Sequence, residues 1–280
     1  MNITEKAMLV RVVLHTWTGR KIDREATRET QRANNAEAGT GVYVKQLIDK
    51  DFLDQTHSKF REVRTFHYEN TLPWGDDNFR ILSSANYFAY TEGIRKKTAE
   101  ADESAKYLVE QYQEKVDEYS ARLGDMFNRA DYPGANSIQS KFGVDVNIIP
   151  MPDKDDFRVA LSEDEVKGIK ENIQSTVDNA LDEAQKEAWT RLHRVVANMS
   201  EQLKKDKPRI HDSLVGNIEK MCELLPQLKI VDDPELDEVI AEAKKNLASR
   251  IPENLRKDKK ERTETAKQAD ELLKKLADYA

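Results

Sequence analysis

Tryptophan, arginine and lysine side chains in the first hundred residues are of the types that bind phosphates and flat ring systems. The segment Trp17-Thr18-Gly19-Arg20-Lys21 follows an apolar stretch, and basic and aromatic residues interleave between positions 57 and 97. Cations beside rings neutralise phosphates and stack bases in single-strand binding, and the same side chains form hot spots between proteins. The candidate binding residues are Trp17, Arg20, Lys21, Arg61, Arg64, Trp74 and Arg80.

A purely structural interpretation of these residues competes with the functional one. Phe60, Phe66, Phe79 and Phe88 suit a core, and the bases between them suit a solvated helix face. Five acidic residues fall in the same window and weaken its attraction for phosphates. The sequence leaves both interpretations open.

Patterns for catalysis, metal binding or cofactor binding are not found in the sequence. Gly39-Thr40-Gly41 lacks the lysine of a phosphate loop and the third glycine of a dinucleotide fingerprint. The histidines form no HExxH pair, and the acidic run from Asp153 to Asp156 lacks the glycine and distal glutamate of a calcium loop. No Gly-x-Ser-x-Gly motif occurs. We therefore expect a protein without an enzymatic centre, metal or cofactor.

Composition favours long, solvated helices. Charged residues make up 35% and apolar residues 38%, with only 10 glycines and 8 prolines. The one cysteine, Cys222, excludes an intramolecular disulfide and is typical of a reducing compartment. No apolar run reaches the roughly 18–20 residues that span a bilayer. We expect a cytoplasmic protein, in the host cytoplasm if a phage encodes it, with no membrane contact.

Charge and aromatic residues are unevenly distributed along the chain. Residues 1–100 hold 16 basic and 14 acidic residues, whereas residues 101–280 hold 29 and 38. The first hundred residues also contain 11 of the 20 aromatics. This polarity predicts that the N-terminal part binds the partner.

Hydrophobic periodicity predicts the elements that position these residues. Met8, Val10, Val12 and Leu14 alternate as a buried strand. Residues 23–37 suit an exposed helix or loop, and the apolar positions from Val44 onward suit one or two helices. The sequence from Leu72 to Asp77 indicates a loop, and residues 78–129 a long helix.

The second half is predicted to contain a hairpin and four helices. Strands at 142–148 and 157–161 form the hairpin, which we expect to pair with the N-terminal strand. Ser162 and Glu165 form a capping box that opens a helix to about residue 205. Three further helices are expected near 209–225, at 233–249 and from Pro252 onward.

These elements predict a mainly α fold with a small β-sheet, built from long antiparallel coiled-coil-like helices plus a small α+β head. The expected domains are the head (1–82), a helical-hairpin stalk (83–205) interrupted by the β-hairpin at 142–161, and C-terminal helices (206–280). The two stalk helices are expected to share one apolar seam. Leu181, Trp189 and Val196 widen that seam, which predicts either self-association or cover by a C-terminal helix.

The opening strand, the Trp17–Lys21 segment, the long helices and the hairpin resemble an uncharacterised protein family of tailed phages and mobile elements. Members of that family open with a strand that runs into a Trp-Ser/Thr-Gly-Arg-Lys segment. They are often encoded near AAA+ ATPases of the MoxR type. The resemblance covers about the first 165 residues. It implies a phage origin and an AAA+ ATPase as a partner, and it transfers no catalytic residues.

Two functional classes follow. The first is a non-enzymatic, phage-type oligomeric scaffold or interaction protein. The second is a nucleic-acid-binding protein that binds or anneals single-stranded DNA through the basic–aromatic N-terminal region. Salt dependence separates them, because phosphate contacts weaken steeply with ionic strength whereas an apolar protein interface responds weakly.

Overall fold

A computed structural model describes residues 3–75, 78–156, 159, 161–277 and 279. Its strands, in chain order, are β1 (Ala7–His15), β2 (Arg20–Asp23), β3 (Tyr43–Gln46), β4 (Leu72–Pro73), β5 (Arg80–Ser83) and β6 (Gly143–Pro150). Its helices are α1 (Arg24–Ala33), α2 (Lys50–Glu69), α3 (Tyr87–Leu123), α4 (Ala135–Gln139), α5 (Glu163–Lys204), α6 (Ser213–Leu228), α7 (Pro234–Ala243), α8 (Pro252–Lys257) and α9 (Lys259–Leu276). The structure is 68% helical with a small antiparallel sheet, which confirms the prediction of a mainly α fold with a small β-sheet.

The chain forms two compact units, each assembled from separated segments. The first unit combines Met1–Arg11, Tyr68–Tyr90 and Asn147–Ala280. The second unit combines Val12–His67 and Thr91–Val146. Periodicity predicts consecutive domains, because it locates elements along the chain and carries no information on which distant segments pack together.

A four-stranded sheet has the order β4-β5-β1-β6. β1 pairs antiparallel with β5, where Leu9 lies opposite Ile81 and both side chains are buried. The prediction that residues 80–83 begin a long helix is wrong. These residues form β5, and Ser83 then caps a short 3-10 turn before α3.

The predicted hairpin is present only in its first strand, β6, which neighbours β1 in the sheet. Phe157, at the start of the predicted return strand, lies outside the described residues. Val159 and Leu161 are described and do not form a strand. A 3-10 turn at Lys154–Asp156 precedes them instead.

Helix α5 packs on the C-terminal helices. Its capping box is confirmed, because Ser162 accepts a hydrogen bond from the Glu165 backbone while the Glu165 side chain accepts one from the Ser162 backbone. Trp189, Leu192 and Val196 are buried with side chains from α6, α7, α8 and α9. The wide stripe on α5 is therefore covered by helices of the same chain.

Asp258 divides the predicted last helix into α8 and α9. Its side chain caps the start of α9 by accepting hydrogen bonds from two backbone amides. A capping aspartate in extended conformation ends one helix and begins the next.

Helix α3 buries its seam in the second unit. Leu108, Tyr112 and Val116 pack with residues of the segment 17–53 and with Tyr132 and Ile138. The prediction that α3 and α5 share one seam is therefore wrong, since each helix fills a different core. Equal spacing shows that a helix has a partner, and it does not show which helix the partner is.

Helices α2 and α3 are antiparallel neighbours. Glu62 pairs with Lys97 at 2.9 Å, and Thr56 donates to the carbonyl of Ser104. The Phe66 ring lies against Gly93, where an added Cβ would approach the ring to 2.1 Å. Glycine at this position in the helix lets the ring pack directly on the α3 backbone.

Candidate interaction surface

The Trp17 side chain is an anchor within the second unit. It is 8% exposed and packs edge-on against Tyr112, with ring centroids 5.8 Å apart. Its backbone carbonyl lies 2.9 Å from the Nε2 atom of His57. A candidate binding residue needs an accessible ring, whereas this ring fills the core beneath the turn.

Gly19 makes the turn from β1 to β2 possible. It has a φ of +64°, which residues other than glycine rarely adopt. A Cβ at this position would lie 2.8 Å from Leu53 Cδ2. The carbonyl of Gly19 also accepts a hydrogen bond from the Leu47 amide at 2.8 Å, which places β3 beside β2.

Strands β2 and β3 form a two-stranded ribbon whose inner face is fixed by buried charges. The Lys45 side chain is 4% exposed, and its Nζ donates to Asp131 at 2.6 Å, to the Met126 carbonyl at 2.9 Å and to Asp23 at 3.0 Å. Lys21 donates to the second carboxylate oxygen of Asp131 at 2.6 Å. All three protons of the buried ammonium thus have acceptors.

Ionisation of this network is stabilised despite its burial. Burial raises the pKa of Asp131, but hydrogen bonds from Lys21 and Lys45 outweigh it and hold that pKa below its usual value. Burial likewise lowers the pKa of Lys45, and the bonds to Asp131 and Asp23 outweigh it and hold that pKa above its usual value. The charges tie the ribbon to the segment 124–132.

The outer face of the ribbon is apolar and open. Ile22 lies directly opposite Val44, and the two side chains are 53% and 49% exposed. Val42, two residues before Val44, is 63% exposed. Arg20 occupies the same face two residues before Ile22, where it pairs with Gln46. We call Arg20, Ile22, Val42 and Val44 the ribbon face.

Helix α1 continues from β2 and presents arginines. None of its residues is buried, and Arg24, Arg28 and Arg32 are exposed at intervals of four along one side. Among the described residues none of the three arginines has an ion-pair partner. The helix is held by its Asp23 cap and by Thr27, whose hydroxyl accepts from the Tyr43 amide of β3 at 2.9 Å.

The remaining predicted site residues do not form one surface with Trp17. Arg61 and Arg64 are exposed on α2, above the buried Phe60 and Val63. Trp74 belongs to the first unit, where it is 6% exposed in a core cluster with Leu72 and Ile81. The Trp74 ring is therefore as inaccessible to a binding partner as the Trp17 ring.

Arg80 supports the end of α2 in the first unit. Its guanidinium donates to the side chain and the carbonyl of Thr71 and lies 4.4 Å from the Tyr68 ring centroid. Arg191 donates to the carbonyls of Tyr68, Glu69 and Thr71 at 2.8–3.0 Å. Burial, and then the nearby charge of Arg191, lower the pKa of Arg80. The two guanidinium groups satisfy carbonyls that a helix end leaves unbonded.

Three of the four phenylalanines pack in the interior, as the structural interpretation of the sequence predicts. Phe60 is buried, Phe66 packs on Gly93, and Phe79 packs against the Trp74 cluster. Phe88 is exposed beside Tyr87.

A partly exposed apolar stripe lies on the N-terminal third of α5, in the first unit. Val166, Ile169 and Ile173, which we call the α5 stripe, are partly exposed and belong to no core cluster of the described residues. Glu163 and Glu165 flank the stripe in the first turn. A groove of about 870 Å³ runs beside this part of the helix.

Neither the ribbon face nor the α5 stripe is predicted from the sequence. Val44 is predicted to lie in a helix, although the alternation of Val42, Tyr43 and Val44 after a glycine-rich turn is a strand signal. The α5 stripe is predicted to be part of a buried seam, because the spacing of 3 and 4 is the same whether or not a partner covers it.

No cluster of three metal-ligating side chains occurs among the described residues. Burial raises the pKa of the Cys222 thiol to about 11, so this group is a packing residue rather than a nucleophile. No described helix is long and apolar enough to cross a membrane. No family model matches the chain, and neither curated proteins nor solved structures give a match.

Proposed function

We propose that this protein is a non-enzymatic oligomeric scaffold or interaction protein whose copies associate through the ribbon face. The observation that carries the proposal is the exposed pair Ile22–Val44 on a ribbon whose other face is fixed by buried charges. Apolar side chains that are clustered and exposed on a strand pair are typical of protein contacts.

Rigidity of the ribbon supports the proposal. Lys45 joins β3 to Asp23 of β2 and to Asp131, so both strands are immobilised before any partner binds. A preorganised surface loses little conformational entropy on association.

Charge supports a second copy as the occupant. The ribbon face and α1 present Arg20, Arg24, Arg28 and Arg32 without ion-pair partners among the described residues. Residues 101–280 hold 38 acidic and 29 basic residues, so another copy offers the opposite charge.

Light scattering across a hundredfold range of concentration tests the proposal. We expect the weight-average mass to rise above the 32.2 kDa of one chain as concentration increases. A constant monomer mass over the whole range contradicts self-association.

A second candidate function is binding of single-stranded nucleic acid, which is favoured by the three exposed arginines along one side of α1. Arg24, Arg28 and Arg32 are spaced about 6 Å apart along the helix, which suits successive phosphates. Burial of Trp17 and Trp74 removes the two rings from which base stacking was expected.

A gel-shift assay with labelled single-stranded DNA at two salt concentrations tests this second function. If α1 contacts phosphates, binding at low salt weakens at high salt, and changing Arg24 and Arg28 together to Ala reduces the salt slope by about 1.4. Absence of binding at low salt excludes this function.

The phage setting and an AAA+ ATPase partner rest on the family resemblance of the Trp17–Lys21 segment. In this proposal, the oligomer of this protein binds an AAA+ ATPase. Co-purification of such an ATPase from the native host tests the partnership.

A further inference from the structure

Exposed arginines outnumber the free carboxylates around the ribbon face. Its open apolar side chains are Ile22, Val42 and Val44, with Arg20 beside them and Arg24 and Arg28 on the helix that follows. The acidic residues of β2 and α1 are Asp23, which is held by Lys45, and the exposed Glu25 and Glu29. A surface that matches the ribbon face must therefore be apolar and flanked by carboxylates.

The α5 stripe has these properties. Val166, Ile169 and Ile173 lie on one side of the helix at spacings of 3 and 4 and are partly exposed. From Glu163 to Asn179 the helix carries five acidic residues and two lysines. Three of the five, Glu163, Asp164 and Glu165, are in the first turn.

Dimensions are compatible with this match. The stripe and its flanking turn cover about ten residues of helix, or about 15 Å. The ribbon strands β2 and β3 have four residues each, or about 13 Å. An amphipathic helix laid on the ribbon would cover Ile22 and Val44 and bring its first-turn carboxylates within reach of the arginines.

We infer that the α5 stripe of one copy docks on the ribbon face of another. This inference rests on the proposed self-association and names the two surfaces that form it. The surfaces differ, so the contact is heterologous, and each copy keeps one free surface of each kind. Such contacts extend into chains or close into rings, as a scaffold requires.

Two blocking variants test the inference. Ile22→Asp places a charge in the ribbon face, and Ile169→Asp places one in the α5 stripe. Each variant keeps one intact surface. Because both side chains are at least partly exposed, each variant is expected to fold, and circular dichroism checks that helical content is unchanged. Masses are measured by light scattering at a concentration where the wild type associates.

Each variant alone is expected to have the monomer mass of 32.2 kDa, and an equal mixture is expected to give a dimer of about twice that value. The dimer forms because the intact stripe of one variant meets the intact ribbon face of the other. Its appearance also shows that both variants are folded.

Other outcomes separate this inference from the proposed function. If Ile169→Asp associates as the wild type does while Ile22→Asp is monomeric, the ribbon face has another occupant and the inference is overturned. If both variants and their mixture remain monomeric, the inference is also overturned, because complementary surfaces fail to meet. A monomeric wild type overturns the proposed function itself.

Discussion

At the scale of single residues, Lys45 determines whether the ribbon is held in place. Its ammonium is removed from water, and this is tolerated because Asp23, Asp131 and the Met126 carbonyl surround it. A buried ion pair contributes little net stability when complete, yet removal of one partner is costly because the other charge is left uncompensated.

Asp131→Asn is therefore expected to lower the free energy of unfolding by about 2 kcal/mol at neutral pH. This is less than the ~3–5 kcal/mol typical of a broken buried pair, because Asp23 still balances Lys45. Urea denaturation measures the difference. Asp125→Asn, an exposed neighbour without an ion pair among the described residues, is the matched control and should change nothing.

The same substitution has an expected pH dependence. The pKa of Asp131 is lower in the folded state than its ordinary value. The stabilisation of the fold by ionised Asp131 is therefore complete above its unfolded-state pKa of about 3.9, and it is lost as the pH falls through its folded-state pKa. The stability gap between wild type and Asp131→Asn should shrink below about pH 4. A gap of constant size from pH 7 to pH 3 would contradict the ion-pair network.

Gly93 gives a test of packing between α2 and α3. Gly93→Ala places a methyl group where the Phe66 ring lies, and we expect a loss of about 1–3 kcal/mol from overpacking. Gly216→Ala in α6 meets no atom within 4 Å and is expected to stabilise by about 0.5–1 kcal/mol through helix propensity. Thermal melts of both variants should shift in opposite directions. Equal shifts would show that the Phe66 ring is not in contact with the helix backbone.

At the scale of elements, periodicity predicted what a segment forms more reliably than what it packs against. The alternation at Met8–Leu14 gave β1, and the capping box at Ser162 gave the start of α5. β5 was missed because Arg80–Ser83 is short and is defined by its pairing with β1. The open ribbon face was missed because exposure depends on the distant residues 124–132, which cover only the opposite face.

The separate packing of α3 and α5 predicts how two core substitutions combine. Leu108→Ala and Leu192→Ala each remove a fully buried side chain and should each cost about 2–5 kcal/mol. Because the two leucines lie in different clusters, the double variant should lose the sum within about 0.5 kcal/mol. Chemical denaturation of the four proteins gives the coupling. A coupling free energy above about 1 kcal/mol would show that Leu108 and Leu192 pack in one core.

At the scale of the whole molecule, the two units expose different chemistry. The second unit carries the open ribbon and the arginines of α1, and the first unit carries the acidic start of α5. The charge polarity of the sequence predicts that the N-terminal part binds a partner. In that part Ile22, Val42 and Val44 are exposed, whereas Trp17 and Trp74 are buried.

The ribbon face as the surface of self-association is tested most directly by sedimentation velocity on three proteins at one high concentration. They are the wild type, Ile22→Ser and Ile251→Ser, the last being a matched exposed isoleucine of the first unit at 57% exposure. We expect oligomers for the wild type and Ile251→Ser and a 32.2 kDa monomer for Ile22→Ser. Identical sedimentation of Ile22→Ser and the wild type would contradict the account.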